Sequence, residues 1–387
     1  MTDTLTQYDT LIETVDWLMQ REKPVAITLT EILEPSGGPS AIIFPPTYAR
    51  RGGEHPYVID VLRTDMSPEA AGDKAEVNIC QLDSVGSQAN RMEPCFAQGP
   101  FKNLVPPRAI ICDNGQKVNL LEVGHRIADG AVRFSSLADD AKQAIGALRE
   151  SSDAQKIARL APTSLVFGFW DSRDSLYRSP RILSSTIHAT NVAPLKRSAQ
   201  FNPAFDVATI GLTGEAEGEV ALAQEEKDPL SQEGLRAAPA VDTHGGVRVY
   251  GKIVRQTEIN LVNLRALAVP SVEGINEADT LKLRRYIFGL CLIAGRAQLN
   301  YNLRQGCLLV LKAGTQPVAQ LVYPSGERRP FTWDLKAALE FTESAARDFG
   351  VADGGEYHFD KAKVEARLKE KEQEKTEKKA RKKATRS

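Results

Sequence analysis

The sequence predicts a mixed α+β fold, and three observations predict it. Residues from about 276 to 300 repeat their apolar positions at helical spacing. Short apolar runs at residues 25–33, 41–44, 109–112 and 303–311 have the length and composition of strands. Asp113-Asn114-Gly115 sits between the third run and another at residues 117–121, a hairpin signal because Asn-Gly accepts the positive φ such turns need. With 387 residues and 42% hydrophobic content, the chain can bury a sizeable core as one large domain or two.

The elements follow in order. Leu11, Ile12, Val15, Leu18 and Met19 give an amphipathic opening helix, and a strand follows Pro24. Residues 47–55 form a basic loop with Tyr48 beside Arg50 and Arg51; it reads either as a clamp combining stacking and charge on RNA or as a solvated glycine turn. The apolar positions Val77, Ile79 and Leu82 lead into a helix that starts at Ser84, with Ser87, Gln88 and Arg91 on one face and Pro94 closing it. A helix start offers unpaired N–H groups and a positive dipole end to an anion, and Gly86 permits close approach.

Residues 178–192 set Arg178, Arg181 and His188 among Ser179, Ser184, Ser185, Thr186, Thr190 and Asn191. Guanidinium and hydroxyl donors in that mixture suit a nucleic-acid backbone, which accepts them without regard to base identity. Residues 211–235 carry seven acidic side chains against Lys227 and read as a mobile acidic insertion. In the long helix, Leu283, Ile287, Leu290, Ala294 and Ala297 share one face, while Lys282, Arg285 and Arg296 form a cationic one. In the segment of residues 303–311, Arg304 and Gln305 precede a buried-looking strand, and Arg304 is an RNA contact or one half of a structural salt bridge.

Charge is unevenly distributed. Residues 361–387 hold 12 Lys/Arg and 5 Glu, a net +7, so a chain of net −1 has a body of −1 − 7 = −8 over residues 1–360. Such a body is no generic polyanion binder, and any RNA site on it is a local groove. The tail reads as a solitary or disordered helix with i,i+4 Glu–Lys pairs. The five cysteines are scattered without a C-x-x-C pair, and no H-x-x-x-H, G-x-S-x-G or P-loop pattern occurs. Neither a metal nor another cofactor is expected. No membrane-length apolar stretch or signal peptide is visible, which points to a cytoplasmic protein.

The segment Val85-Gly86-Ser87-Gln88-Ala89-Asn90-Arg91 after a strand resembles the V-S-S-Q signature of the seventh Cas family, the backbone subunits of CRISPR Cascade complexes in the RAMP superfamily. Asn90 departs from it, standing where related signatures often carry lysine. F-G-F-W-D-S at residues 167–172 and L-S-S-T-I-H-A-T-N-V at residues 183–192 are more similar to the type I-G (formerly I-U) branch. The resemblance implies an RRM-like (ferredoxin-like) core over residues 1–360 with helical and β-hairpin insertions, one hairpin being a thumb that folds over guide RNA; the Asp113-Asn114-Gly115 hairpin is a candidate for it.

It also implies a crRNA-binding subunit, not an enzyme, that polymerises head-to-tail with copies of itself and presents guide bases to target DNA. Other Cascade subunits and a recruited nuclease-helicase would be its further partners. The guide-contact residues are expected to be Arg50, Arg51, Ser84, Ser87, Gln88, Arg91, Arg178, Arg181, Ser184, Ser185, His188, Asn191, Arg285 and Arg304. Two rivals stay open: a guide-processing endoribonuclease using His188, and a type III-like subunit cutting target RNA with Asp73 or Asp83. A small-ligand enzyme lacks any cofactor fingerprint.

Overall fold

The computed structural model describes Asp16, Leu18 and residues 24–49, 56–204, 233–235, 237–297 and 301–384, with side chains of the last helix described to residue 373. Strand β1 (Ala26–Pro35) buries Ile27, Leu29, Glu31 and Leu33 and leaves Thr30, Ile32 and Glu34 half-buried, the period of two that gives a strand one inner face. Around it assembles an antiparallel sheet of nine strands. The others are β2 (Ile59–Val61), β3 (Asn78–Asp83), β6 (Leu183–Thr190), β9 (Ile253–Asn260), β10 (Tyr301–Arg304), β11 (Cys307–Leu311), β12 (Val318–Val322) and β13 (Arg328–Pro330). Outside that sheet, β4 (Arg108–Ile111) and β5 (Lys117–Asn119) form a hairpin, and β7 (Val192–Phe201) pairs with β8 (Ala238–Val249).

The strand order is β10-β11-β1-β9-β6-β3-β2. One edge of β1 faces β9 from Ala26↔Asn260 to Leu33↔Ile253, and its other edge is shared by β12 and β11. The chain therefore runs from β1 through β2, β3 and helices to β6, passes through the ribbon into β9, crosses by a long helix, and returns beside β1. All pairings within this sheet are antiparallel.

Helices cover the inner face. The short helix α1 (Val85–Met92), then α2 (Ala138–Ser151) and α3 (Thr163–Phe167), precede β6, and α4 (Glu277–Ala297) follows β9. Every residue of α4 from Tyr286 to Gly295 is buried, because the sheet lies on one side and α5 (Leu335–Phe349) on the other. The α4–α5 approach is close enough that a Cβ on Gly289 would come within 2.6 Å of Thr342 Oγ1. Tyr286 stacks on Phe349 there, with ring centroids 5.2 Å apart.

The Asp113-Asn114-Gly115 turn forms as expected, with Gly115 at φ 81° and its N–H donating to Cys112 O at 2.8 Å. It joins β4 and β5, whose registered pairing is three residues long, and β4 also pairs in parallel with β14 (Gly355–His358). This hairpin is held against the body. The element that extends from the sheet is the ribbon of β7 and β8, 10 and 12 residues long, largely exposed beyond its base. Gly246 (φ 88°) sits at that base, where an added Cβ would lie 2.6 Å from Ile43 O. The final helix α6 (Lys361–Ala384) is rooted by Asp360, whose N–H donates to Phe134 O at 2.7 Å.

Among the described residues no helix is long and apolar enough to cross a membrane. The acidic stretch of residues 211–235 lies outside the described residues except at 233–235, as do Arg50 and Arg51.

Candidate nucleic-acid interface

Ser84 caps α1, its Oγ accepting the N–H of Ser87 at 3.2 Å. That cap fixes the start of a helix whose inward face holds Gln88, Ala89 and Met92 and whose opposite side presents Gly86 and Asn90 to a cleft of about 430 Å³. The other wall comes from the second motif. Phe169-Trp170 pairs with Arg178-Ser179, bringing Trp170, Arg178 and Arg181 to the cleft, and His125 and Arg126 close it.

Gly168 makes this wall possible. It stands at φ 70°, and a Cβ there would come within 2.8 Å of Ser179 O and 3.0 Å of Arg181 Cγ. The guanidinium of Arg178 lies 4.7 Å from the ring centroid of Trp170, which is 47% exposed. An aromatic face backed by a cation is a platform for a stacked base. The lining carries three arginines and no acidic residue; Arg126 is paired with Glu93 behind it, so Arg178 and Arg181 set the sign of the cleft. On a body of net −8, that local sign reversal focuses an attractive potential for an anion.

Arg126 is held from behind. Its Nε donates to Glu93 at 2.8 Å, one nitrogen donates to Gly168 O at 3.1 Å, and the guanidinium lies 5.2 Å from the Phe167 ring centroid. Burial pushes the Glu93 carboxyl up to about 7, while the Arg126 charge pulls the other way.

The remaining expected contacts divide by the geometry of their elements. Along β6, Ser184, Thr186 and His188 stand on the open face of the sheet, whereas Leu183, Ser185, Ile187 and Ala189 point inward. Ser185 and Gln88 are buried in one network: Gln88 donates to Asp83 at 2.7 Å and accepts from Ser185 at 3.1 Å and from Arg255 at 3.1 Å. Arg255 in turn reaches Glu31 at 2.6 Å, and Tyr301 donates to Glu31 at 3.0 Å. Asn191 is buried too, binding the carbonyls of Gly72 and Ala75 and the N–H of Val77. These three side chains therefore brace the frame and do not reach the surface.

Arg91 also turns inward. Its Nε pairs with buried Asp83 at 2.9 Å, and its other nitrogens donate to Asn302 O at 3.2 Å and Leu303 O at 2.7 Å. Arg285 pairs with Asp16, and Arg304 donates weakly to Pro45 O at 3.4 Å. His188 is half-buried, and burial holds its imidazole below the ordinary range against the opposing pull of Glu76. Burial therefore favours the neutral ring, which offers hydrogen bonds and no fixed charge.

Residues missed in the sequence reading are Trp170, His125 and Arg126 in the cleft and the exposed Lys196, Arg197 and Arg248 on the ribbon. Trp170 had a signal, an aromatic closing the Phe167-Gly168-Phe169-Trp170 segment ahead of Arg173, Arg178 and Arg181. His125 and Arg126 had none, since only tertiary packing brings them there. Of the two aspartates considered for RNA cleavage, Asp83 is fully buried in the network above and Asp73 lies exposed in a loop. Among the described residues no three His, Cys, Asp or Glu side chains gather at metal-ligand spacing.

Residues 27–194 match the family model described as CRISPR-associated protein GSU0053. The match runs from β1 to the first residues of the ribbon and includes every residue lining the cleft. No curated protein matches the chain.

Proposed function

We propose that this chain, a CRISPR-associated protein by the match over residues 27–194, binds CRISPR RNA as a backbone subunit of a type I Cascade effector, of the type I-G branch. The observation that carries this reading is the acid-free cleft in which Gly86 and Asn90 of one motif face Trp170, Arg178 and Arg181 of the other. Arginine donors engage phosphates without reading sequence, and Trp170 takes a base by its face. A protein that must accept any spacer needs that combination, because guide pairing and not the protein reads the target.

The strand order supports an RRM-like core. With β2 and β3 taken as additions at one edge, the β-helices-β-β-helix-β path, with β1 central, β9 and β6 on one side and β11 and β12 on the other, agrees with the order expected of a ferredoxin-like sheet. The β7–β8 ribbon, with Lys196, Arg197 and Arg248 exposed, is the better thumb than the short β4–β5 hairpin, being long and free of the body. Copies of the chain stack head-to-tail along the guide, a heterologous contact that leaves an open filament. Target DNA then pairs with the exposed bases, other Cascade subunits cap the assembly, and a recruited nuclease-helicase does the cutting. The subunit itself works in the cytoplasm as a scaffold and has no catalytic role.

The test is binding of a labelled guide RNA by Arg178→Ala/Arg181→Ala. Affinity falls uniformly across spacer sequences, the salt slope flattens by about 1.4 for two lost single-strand contacts, and the melting temperature stays that of wild type. Unchanged affinity, or loss confined to some spacers, overturns the assignment.

A further inference from the structure

A second concave surface lies beyond the loop that carries Trp170. Two chambers of about 540 and 630 Å³ meet there and share Arg133, Arg173, Asp174 and Arg367; neither shares a lining residue with the cleft. One wall is the first turns of α6, the other is α2 with residues 127–134 and 171–175.

The acids in this lining are largely engaged. Asp171 accepts the N–H groups of Arg173, Asp174 and Ser175 at 3.4, 3.2 and 2.8 Å and the Ser175 hydroxyl at 2.6 Å, so it builds the loop that presents Arg173. Glu150 pairs with Arg149 at 2.5 Å and Glu370 with Arg367 at 2.9 Å. Among the described residues Arg133 and Arg173 make no ion pair. Arg133 lies 5.3 Å from the Phe134 ring centroid, and its Nε is buried without a hydrogen-bond partner. Unpaired guanidinium groups on a concave wall, one backed by an aromatic ring, lack the anions that would satisfy them.

We propose that this groove is a second nucleic-acid site, which takes a single strand by its phosphates while α6 serves as the basic wall. The helix suits that role because its base is fixed: Phe359 N–H donates to Ile111 O at 2.8 Å and Asp360 N–H to Phe134 O at 2.7 Å, so its lysines and arginines are carried at a set place beside Arg133. Separate walls let the site be filled while the cleft is occupied. The site stands independently of the guide reading.

The experiment uses the full-length protein saturated with guide RNA and measures anisotropy of labelled dT15 and, in a parallel arm, U15. Arg133→Ala/Arg173→Ala weakens dT15 binding about tenfold and flattens its salt slope by about 1.4, with guide affinity unchanged. Arg173→Glu, at an exposed position, repeats the loss without disturbing half-buried Arg133. A site that favours DNA loses dT15 and not U15, and equal loss in both arms marks a general strand site; either result supports the groove. Binding of both oligonucleotides within twofold of wild type in both variants overturns it. So does failure of dT15 to bind the guide-saturated wild type, which would merge the two sites into one.

Discussion

Arg91 Nε sits 2.9 Å from Asp83 Oδ2 and ties the last turn of α1 to the end of β3 and, through the carbonyls of Asn302 and Leu303, to β10. Asp83 is fully buried, and burial raises its carboxyl while Gln88 and Arg91 hold it down. Removing the arginine leaves a buried carboxylate with Gln88 as its main donor. Arg91→Ala is expected to cost about 3 kcal/mol of stability, less if water enters through the arginine's partly exposed side. A denaturant titration checks it: an unchanged midpoint with weakened RNA binding would return Arg91 to the phosphate surface.

Trp170 is expected to contribute through its ring. Trp170→Ala weakens guide binding by about 1–3 kcal/mol at unchanged salt slope, since stacking releases no counterion. Trp170→Phe restores most of the affinity. Salt titrations of the two variants against Arg178→Ala separate stacking from charge, and a flattened slope in Trp170→Ala would assign the ring to holding Arg178 alone.

Glu93 makes a signed prediction about pH. Its folded pKa, about 7, stands above its ordinary value of 4.5, so protonation favours the folded state. The contribution is fully present below about 4.5 and is lost as pH rises through about 7. Comparison with Glu93→Gln isolates it: the melting temperature of wild type minus that of the variant declines between about pH 5 and about pH 8. A difference that stays flat or grows with pH would show the Arg126 pair outweighing burial.

His188 separates a scaffold from a processing enzyme. Its neighbours across the sheet are Gln81 and Val254, neither a base, and burial disfavours the charged form of its imidazole. Incubation of the purified protein with repeat RNA, with and without divalent metal, is expected to leave the RNA intact. Cleavage that His188→Ala abolishes would establish the endoribonuclease.

How much of this was readable in advance follows from the range of each interaction. The Ser84 cap, the Asn114-Gly115 turn and the long helix depend on neighbours within a few residues, and each lies where local chemistry puts it. The motif of residues 178–192 looked like one contact surface, but a strand's period of two sends Ser184 and His188 outward and Ser185 inward. Arg91 meets its carbonyl partners 211 and 212 residues away, a distance no local pattern encodes. The ribbon was hidden for two reasons. Its strands lie far apart in sequence, and register shifts at Ala240/Thr243 and His244/Val247 break the alternation that would have marked one of them.

The central claim, that copies of this chain coat a guide at a fixed stride, is tested most directly by native mass spectrometry of complexes assembled on spacers of increasing length. The account predicts that the number of bound chains rises by one at regular increments of nucleotides, with Arg178→Ala/Arg181→Ala failing to assemble. A protein count that stays constant as the spacer lengthens would contradict it.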